Sequence, residues 1–304
     1  MNHKFSVIIP SHNEGDWLKT TVMGVLENTT YPDFEIIVVA DGCTDTSCDF
    51  LRNGVPNVKL VSLEKSVGAA KARNEGAKVA EGEYFVFLDS HMIPTDESWL
   101  TELALQLENE TVGAATLKIP YLEEENRVAY VYTIKDWLLE PTWVSPTSKT
   151  EVQPVPAIPG ACFGIRRTMF EKTGGFDTGL MKWGREDLEY SLRLWRMGYD
   201  LTMSPRAGIA HSWERKRTFE ISWNEVDYNI LRTALTLLSP DYADKVVAHL
   251  KTIRPKHVTQ YLHLLKQDEG FQTRKEKLSQ TFKRSFHDYI STFSNGLPVL
   301  QKNS

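Results

Sequence analysis

The sequence predicts an α/β fold: a mostly parallel sheet with helices on both faces, followed by a helical C-terminal extension. Three observations predict it. Up to Leu88, short apolar runs alternate with helical patterns. The runs are apolar throughout instead of alternating with polar residues, the pattern of strands covered on both faces. After Glu220 glycine becomes scarce and apolar residues recur at helical spacing. We therefore expect a domain over 1–220 and a helical extension over 221–304.

The elements follow in order. Phe5 to Pro10 is a buried-strand run, stopped by Pro10-Ser11-His12-Asn13-Glu14-Gly15. Asp16 can cap a helix that places Leu18, Val22, Val25 and Leu26 on one face. Phe34 to Ala40 is a second strand, ending at Asp41-Gly42. Thr44 or Asp45 can start a short helix to Leu51. Val58 to Leu63 is a third strand, Ser66 to Ala80 an Ala- and Lys-rich helix, and Tyr84 to Leu88 a fourth strand. Trp99 to Leu107 fits a helix and Val112 to Ile119 a strand. Tyr121 to Pro159 holds an acidic run (Glu123 to Glu125), aromatics and prolines; it reads as partly helical, then a long loop at the edge of a site.

Apolar character resumes at Pro159 to Ile165. Met169 to Lys172 is a short helix closed by Gly174-Gly175. A longer helix runs to Met197, with Leu188, Leu192 and Trp195 as its buried stripe and Glu189 with Arg193 as an i,i+4 pair. Asp200 to Met203 is a strand, with Gly208-Ile209-Ala210-His211 just past it. In the extension, Val226, Ile230, Ala234 and Leu237 mark one helix. Others are expected over Tyr242 to Thr252, His257 to Lys266 and Arg274 to Thr292, with a frayed end from Asn295-Gly296.

Composition narrows the function classes. The net charge of −5 gives no electrostatic reason to expect nucleic acid as a partner. Three cysteines make no disulfide framework or zinc set, which suits a reducing compartment. No apolar stretch is long enough to span a bilayer and no signal-peptide pattern opens the chain. The expectation is a cytoplasmic protein, with peripheral contact at a membrane surface left open. No G-x-G-x-x-G follows the first strand and no G-x-x-x-x-G-K-[ST] occurs, so dinucleotide and P-loop fingerprints are absent.

In open α/β sheets, ligands bind beyond the carboxyl ends of the strands. Ser11, Asp41 and Asp89 all lie there. A strand puts residues i and i+2 on one face, so Asp89 and His91 can aim an oxygen and a nitrogen at one divalent ion. The plain alternative is a surface turn in which Asp89 and Ser90 cap the next element.

Several stretches together resemble glycosyltransferase family 2. Phe5-Ser6-Val7-Ile8-Ile9-Pro10-Ser11-His12-Asn13-Glu14 resembles the family's opening strand. Val38-Val39-Ala40-Asp41-Gly42-Cys43-Thr44-Asp45 resembles its nucleotide-binding second strand, and Gly68-Ala69-Ala70-Lys71-Ala72-Arg73-Asn74 its G-x-x-x-A-R-N segment. Asp89-Ser90-His91 falls where the family carries D-x-D. Gly174-Gly175-Phe176-Asp177 and Trp183-Gly184-Arg185-Glu186-Asp187-Leu188-Glu189 match its acceptor-side signature. The D-S-H form is similar to polypeptide N-acetylgalactosaminyltransferases, in which a later histidine joins the metal site; His211 falls at that place. Those enzymes usually have E-N where this chain has Glu186-Asp187. The E-D form is similar to β-1,4-galactosyltransferases and chondroitin-type polymerases.

The resemblance implies a GT-A fold over residues 4–217 and a metal-dependent transfer from a UDP-sugar to an acceptor hydroxyl on a glycan, peptide or small molecule. Asp89, His91 and His211 are the implied metal ligands. Imidazole suits Mn2+ better than Mg2+ or Ca2+, so Mn2+ is expected, with Mg2+ the other option. Such an ion absorbs charge that builds on the diphosphate leaving group. Asp41 is expected to accept from the uracil N3–H. Arg73 is expected to stack on or bond to the base, or else to be a solvated cation on a helix face. Pro10, Ser11 and Glu14 line the nucleoside, with support of the following helix the other role for Glu14. Trp183 and Gly184 lie against the sugar or acceptor, unless Trp183 is plain core. Asp187, with Glu186 beside it, is the expected general base of an inverting reaction. The other role for this acid pair is to support a helix N-terminus. A retaining enzyme with the same metal site, and a catalytically silent nucleotide-sugar-binding protein, are the alternatives. The C-terminal helices are expected to meet an acceptor, a partner subunit or a membrane surface.

Overall fold

The computed structural model describes residues 4–124, 126–134, 137–214 and 218–293. Glu125 of the acidic run and the expected fraying from Asn295-Gly296 lie outside them. The strands are β1 (Phe5–Ser11), β2 (Phe34–Asp41), β3 (Val58–Leu63), β4 (Tyr84–Leu88), β5 (Met92–Pro94), β6 (Val112–Pro120), β7 (Val128–Ala129), β8 (Val131–Ile134), β9 (Pro141–Val144), β10 (Gln153–Pro154), β11 (Cys162–Arg166) and β12 (Asp200–His211). The helices are α1 (Asp16–Glu27), α2 (Ala69–Val79), α3 (Trp99–Leu107), α4 (Arg167–Thr173), α5 (Glu186–Arg196), α6 (Trp223–Leu237), α7 (Pro240–Ile253), α8 (Pro255–Gln267), α9 (Glu269–Ser279) and α10 (Phe286–Phe293).

The central sheet runs β10-β12-β6-β11-β4-β1-β2-β3. β1 pairs parallel with β2 and β4, β2 with β3, and β6 with β12. β11 is antiparallel to both neighbours, β4 and β6. The expected mostly parallel sheet is present, with β11 as the reversed strand inside it. Alternate residues feed two cores: Phe5, Val7 and Ile9 pack under α1 and α3, and Ile8 with Phe85 and Phe87 under α2, α4 and α5. β3 departs from the expectation of burial on both faces. It is the sheet edge, and Lys59 and Ser62 are exposed while its apolar residues are half covered.

Four further expectations are corrected. Gly15 with φ 57, not Asp16, occupies the cap of α1, and Asp16 is in its first turn. Between Thr44 and Leu51 only a 3-10 turn forms, Asp49–Leu51. Among the described residues, 121–159 holds no helix. Val131, Thr133, Thr142 and Val144 are β-branched and pair as an antiparallel ribbon, β8 with β9. Finally, β12 does not stop at Met203: it shifts register between Ser204 and Gly208, around Pro205, and continues to His211.

The expected helix over Arg274 to Thr292 is two, α9 and α10. The break is tertiary: Lys283 and Arg284 N–H donate to the Arg196 carbonyl at the end of α5, at 2.7 and 3.1 Å. The apolar faces of α6 to α10 close on Leu188, Leu192 and Trp195 of α5 and on Tyr132 and Ile134 of β8. The apolar contact therefore crosses position 220.

Candidate active site

The parallel pairing of β1, β2 and β4 brings Ser11, Asp41 and Asp89 to one edge of the sheet. They face a cleft of about 770 Å3, which also meets Arg73, His91, Trp183, Gly184, Glu186, Asp187 and His211. That volume is in the range of small-molecule sites. Every residue expected at the site, Pro10 and Glu14 included, lines this one cleft.

His91 and His211 are neighbours because β5 pairs antiparallel with β12, placing Met92 opposite His211. The Ser212 N–H also donates to the His91 carbonyl at 3.1 Å. The two Nε2 atoms lie 3.0 Å apart. Asp89 Oδ2 lies 3.9 Å from His211 Nε2, and one ligand atom from each of the three residues falls within 4.8 Å of the others. Two nitrogens each about 2.1 Å from one ion, on adjacent corners, are themselves about 3 Å apart, so the pair fits a shared divalent ion. On its far side the His91 ring turns Nδ1 to Glu14 Oε2 at 3.5 Å. A carboxylate behind a ligating imidazole fixes its orientation. Glu14, expected to touch the nucleoside, is directed towards His91.

Arg73 is not a solvated helix-face cation. It is 3% exposed. Its guanidinium donates to Glu186 Oε1 at 2.8 Å, to Asp89 Oδ1 at 3.1 Å and to the Gly160 carbonyl at 3.0 Å. Burial works against its charge, but Glu186 and Asp89 outweigh that and hold its pKa above the ordinary value. Burial also pushes the Glu186 carboxyl up; the Asp187 charge adds to this and Arg73 opposes it. Glu186 Oε2 accepts from the Gly184 N–H at 3.0 Å. Asp187 is half-buried, accepting from Gly160 N–H at 2.9 Å and Leu188 N–H at 2.8 Å.

Asp41 organises a loop. Its carboxylate accepts from Ser66 Oγ at 2.9 Å, Val67 N–H at 2.6 Å and Gly68 N–H at 3.0 Å. Gly68 has φ 93, and a Cβ there would lie 2.4 Å from the Lys182 carbonyl oxygen, so only glycine lets α2 dock on the 182 segment. Ser11 is 2% exposed and its Oγ has no hydrogen-bond partner among the described residues. The Trp183 ring is half-buried, 6.3 Å from Phe219, and the Gly184 carbonyl accepts from Asn229 Nδ2 on α6 at 2.9 Å.

Sequence reasoning missed an aromatic wall. Trp213 lies 4.1 Å from the His211 ring and 5.6 Å from Trp143 of β9, and Tyr132 of β8 lies beside Trp143 at 5.8 Å. The β-branched run of β8 and β9 was the signal that could have placed it. Gly160, whose carbonyl and N–H meet Arg73 and Asp187, gave no sequence signal beyond being glycine.

Comparison with known proteins agrees with this geometry. The profile described as glycosyl transferase family 2 matches residues 6–174. This chain belongs to that family. A second profile, the N-terminal domain of galactosyltransferase, matches residues 148–216, which include Trp183 to Glu189 and His211. Among curated relatives, mouse polypeptide N-acetylgalactosaminyltransferase 12 is 31% identical over 243 residues, covering 72% of this chain and 41% of the relative. Polypeptide N-acetylgalactosaminyltransferase 5 of Caenorhabditis elegans is 29% identical over 238 residues, 71% and 38% of the two chains. The O-antigen biosynthesis protein RfbC of Myxococcus xanthus is 29% identical over 236 residues, 74% and 18%. This family 2 chain thus spans at most about two-fifths of those relatives.

Solved structures show the same fold. A crystal structure of GalNAc-T7 with UDP, GalNAc and Mn2+ superposes with a TM-score of 0.72 at 22% identity, covering 95% of this chain and 57% of that one. The mannosyltransferase PcManGT of Pyrobaculum calidifontis, with GDP-Man and Mn2+, gives 0.57 at 17% identity, covering 92% and 86%. The family 2 chain has the GT-A fold with added C-terminal helices. No helix among the described residues is long and apolar enough to cross a membrane.

Proposed function

We propose that this chain is a metal-dependent glycosyltransferase that moves a sugar, hexosyl or N-acetylhexosaminyl, from a UDP-sugar to an acceptor hydroxyl, with inversion. The observation that carries this reading is the cluster of Asp89, His91 and His211 in one cleft that Glu186 and Asp187 also line. Relatives named N-acetylgalactosaminyltransferases, and structural neighbours holding UDP, UDP-GlcNAc and Mn2+, support it. The three metal-ligand candidates fit Mn2+, which when bound stabilises negative charge on a diphosphate leaving group.

The protein's own groups would act as follows. Ser11, Asp41 and the Ser66–Gly68 loop hold the nucleoside side of the donor, and Pro10 closes that edge. Trp183 and Gly184 bound the acceptor side. Asp187 takes the proton from the acceptor hydroxyl while its oxygen bonds to the anomeric carbon. The bond from that carbon to the diphosphate oxygen breaks, and UDP leaves with the electron pair. Two of the carboxylate's acceptor positions hold backbone N–H groups, leaving others for the hydroxyl. Arg73 fixes Asp89 relative to Glu186 and so sets the two halves of the cleft.

We propose a reducing compartment, the cytoplasm, because an odd count of three cysteines suits one. The acceptor is a glycan or peptide, met along α6 and the ribbon of β8 and β9. The test is a thermal-shift panel of UDP-, GDP- and dTDP-sugars with and without Mn2+. A ligand at 100 times its Kd stabilises by about 2.7 kcal/mol. UDP-sugars should do so only with Mn2+, and slow Mn2+-dependent hydrolysis should accompany binding. Binding without hydrolysis or transfer would leave a nucleotide-sugar sensor. NMR of the product's anomeric proton separates inversion from retention.

A further inference from the structure

Arg185 is strained, has no ion-pair partner among the described residues, and lines two cavities. Its backbone is left-handed, φ 72 and ψ 4, at the cap of α5, directly after Gly184 with φ 98. Glycine takes that conformation freely, whereas arginine there stores strain. Such outliers persist where the side chain has work that outweighs the local cost. Among the described residues the guanidinium makes no bond that would explain it. Nε is buried with no hydrogen-bond partner, and no ion pair joins Arg185 to any described residue. Two of the acids around it are ion-paired elsewhere, Glu186 with Arg73 and Asp227 with Arg254, and Asp187 accepts from the Gly160 and Leu188 N–H groups instead of from Arg185. Glu140, on the same cavity wall, is exposed and makes no ion pair with it.

The location points to the acceptor side. Arg185 lines the main cleft and also a second cavity of about 220 Å3 between the 138–140 segment, α6 and α7. Trp223 belongs to both walls and is 56% exposed, an unusually open indole. The metal-ligand candidates and Asp41 line the main cleft alone. A group entering the smaller cavity therefore continues outward from Asp187, away from the nucleotide.

We infer that Arg185 and Trp223 form an acceptor subsite that selects an anionic sugar, with the guanidinium binding its carboxylate or phosphate and the indole packing on its ring face. Planar forked donors suit both anions, and an open indole suits the apolar face of a sugar. This rests on the reading of Asp187 as the acceptor-side base.

The test is calorimetric binding of three probes to the full chain with UDP and Mn2+ present: p-nitrophenyl β-glucuronide, p-nitrophenyl β-glucoside, and p-nitrophenyl β-glucoside 6-phosphate. The native chain should bind at least one anionic probe about tenfold or more tighter than the neutral glucoside. Arg185→Gln and Arg185→Gly should bring the probes to within about twofold of one another. Arg185→Gly relieves the strain, so it should also unfold at a higher temperature; that excludes misfolding as the cause of the loss. Preference for the glucuronide identifies a carboxylate and preference for the 6-phosphate a phosphate; either supports the subsite. Equal binding of all three by the native chain, no binding of any, or a preference that survives Arg185→Gln overturns it. UDP-sugar hydrolysis by the native chain is measured in parallel. An anion preference without hydrolysis would sink the transferase reading and leave an anion-binding pocket instead of an acceptor subsite; hydrolysis without the preference would sink the subsite and leave the transferase reading.

Discussion

Arg73 on α2 stands 2.8 Å from Glu186 at the start of α5, a buried ion pair across 113 residues of chain. Its second arm reaches Asp89 at 3.1 Å, so one guanidinium ties the end of β4, where Asp89 lies, to the helix that carries Asp187. Removing one partner of a buried pair leaves the other charge uncompensated, at a cost of about 3–5 kcal/mol. Arg73→Met should therefore lower stability by that order in urea unfolding. Glu186→Gln, which keeps a hydrogen-bond acceptor and removes a buried charge, should cost less. If Arg73→Met lost under about 1 kcal/mol, the pair would not be the brace described here.

His91 and His211 present nitrogens to one point, so each should contribute separately to metal affinity. His91→Ala and His211→Ala should each weaken Mn2+ binding by about a hundredfold or more, read by isothermal titration. Asp89→Ala should behave likewise while also releasing one arm of Arg73. Glu14→Gln should weaken binding less, by about tenfold, because Glu14 orients His91 from behind. Mn2+ affinity unchanged in all of these variants would remove the metal site.

Asp187→Asn preserves shape and one acceptor oxygen but cannot take a proton. It should bind UDP as the native chain does and lose turnover by about 10²–10⁴-fold. Turnover equal to that of the native chain in the Asp187→Asn variant would reduce Asp187 to a support for α5, which its bonds to Gly160 and Leu188 would by themselves allow.

Local pattern carried much of this into view, and distant pairing carried the rest. Val7 to Ile9, Ile36 to Val39 and Phe85 to Leu88 are short and apolar throughout, the pattern of strands covered on both faces. Strand alternation would pair Asp89 with His91, but β4 ends at Leu88 and residues 89–91 form the turn into β5, so a turn and not alternation brings the two side chains together. No local pattern could place His211. Its place beside His91 is set by the β5–β12 register across 120 residues, and it entered through the family resemblance. Arg73 was read as facing a base or solvent because amphipathicity tells which face is polar, not what meets it. The ribbon of β8 and β9 is hard to read in sequence because acidic, aromatic and proline residues mask its short β-branched runs. The break between α9 and α10 has no glycine or proline to announce it; the Arg196 carbonyl imposes it from another element.

Asp177 is the anchor between the GT-A sheet and the C-terminal helices. Its carboxylate accepts from Arg232 Nε at 2.8 Å and Nη2 at 3.0 Å, and lies 3.2 Å from Arg274 Nε, joining α6 and α9 to the segment before α5. Burial opposes its ionisation, but Arg232 and Arg274 overcome that and hold its pKa below the ordinary carboxylate range. The unfolded chain therefore binds a proton at Asp177 at a higher pH than the folded one does. Asp177 contributes its full stability above the unfolded value, about 3.9, and loses it progressively as pH falls through the folded value below that. Asp177→Asn should be less stable than the native chain at pH 7. The gap between their urea midpoints should stay constant from pH 7 to about pH 5 and shrink below about pH 4. A gap that persisted undiminished to the lowest pH at which both chains fold would show that Asp177 acts through shape and hydrogen bonding alone, with no share from its charge.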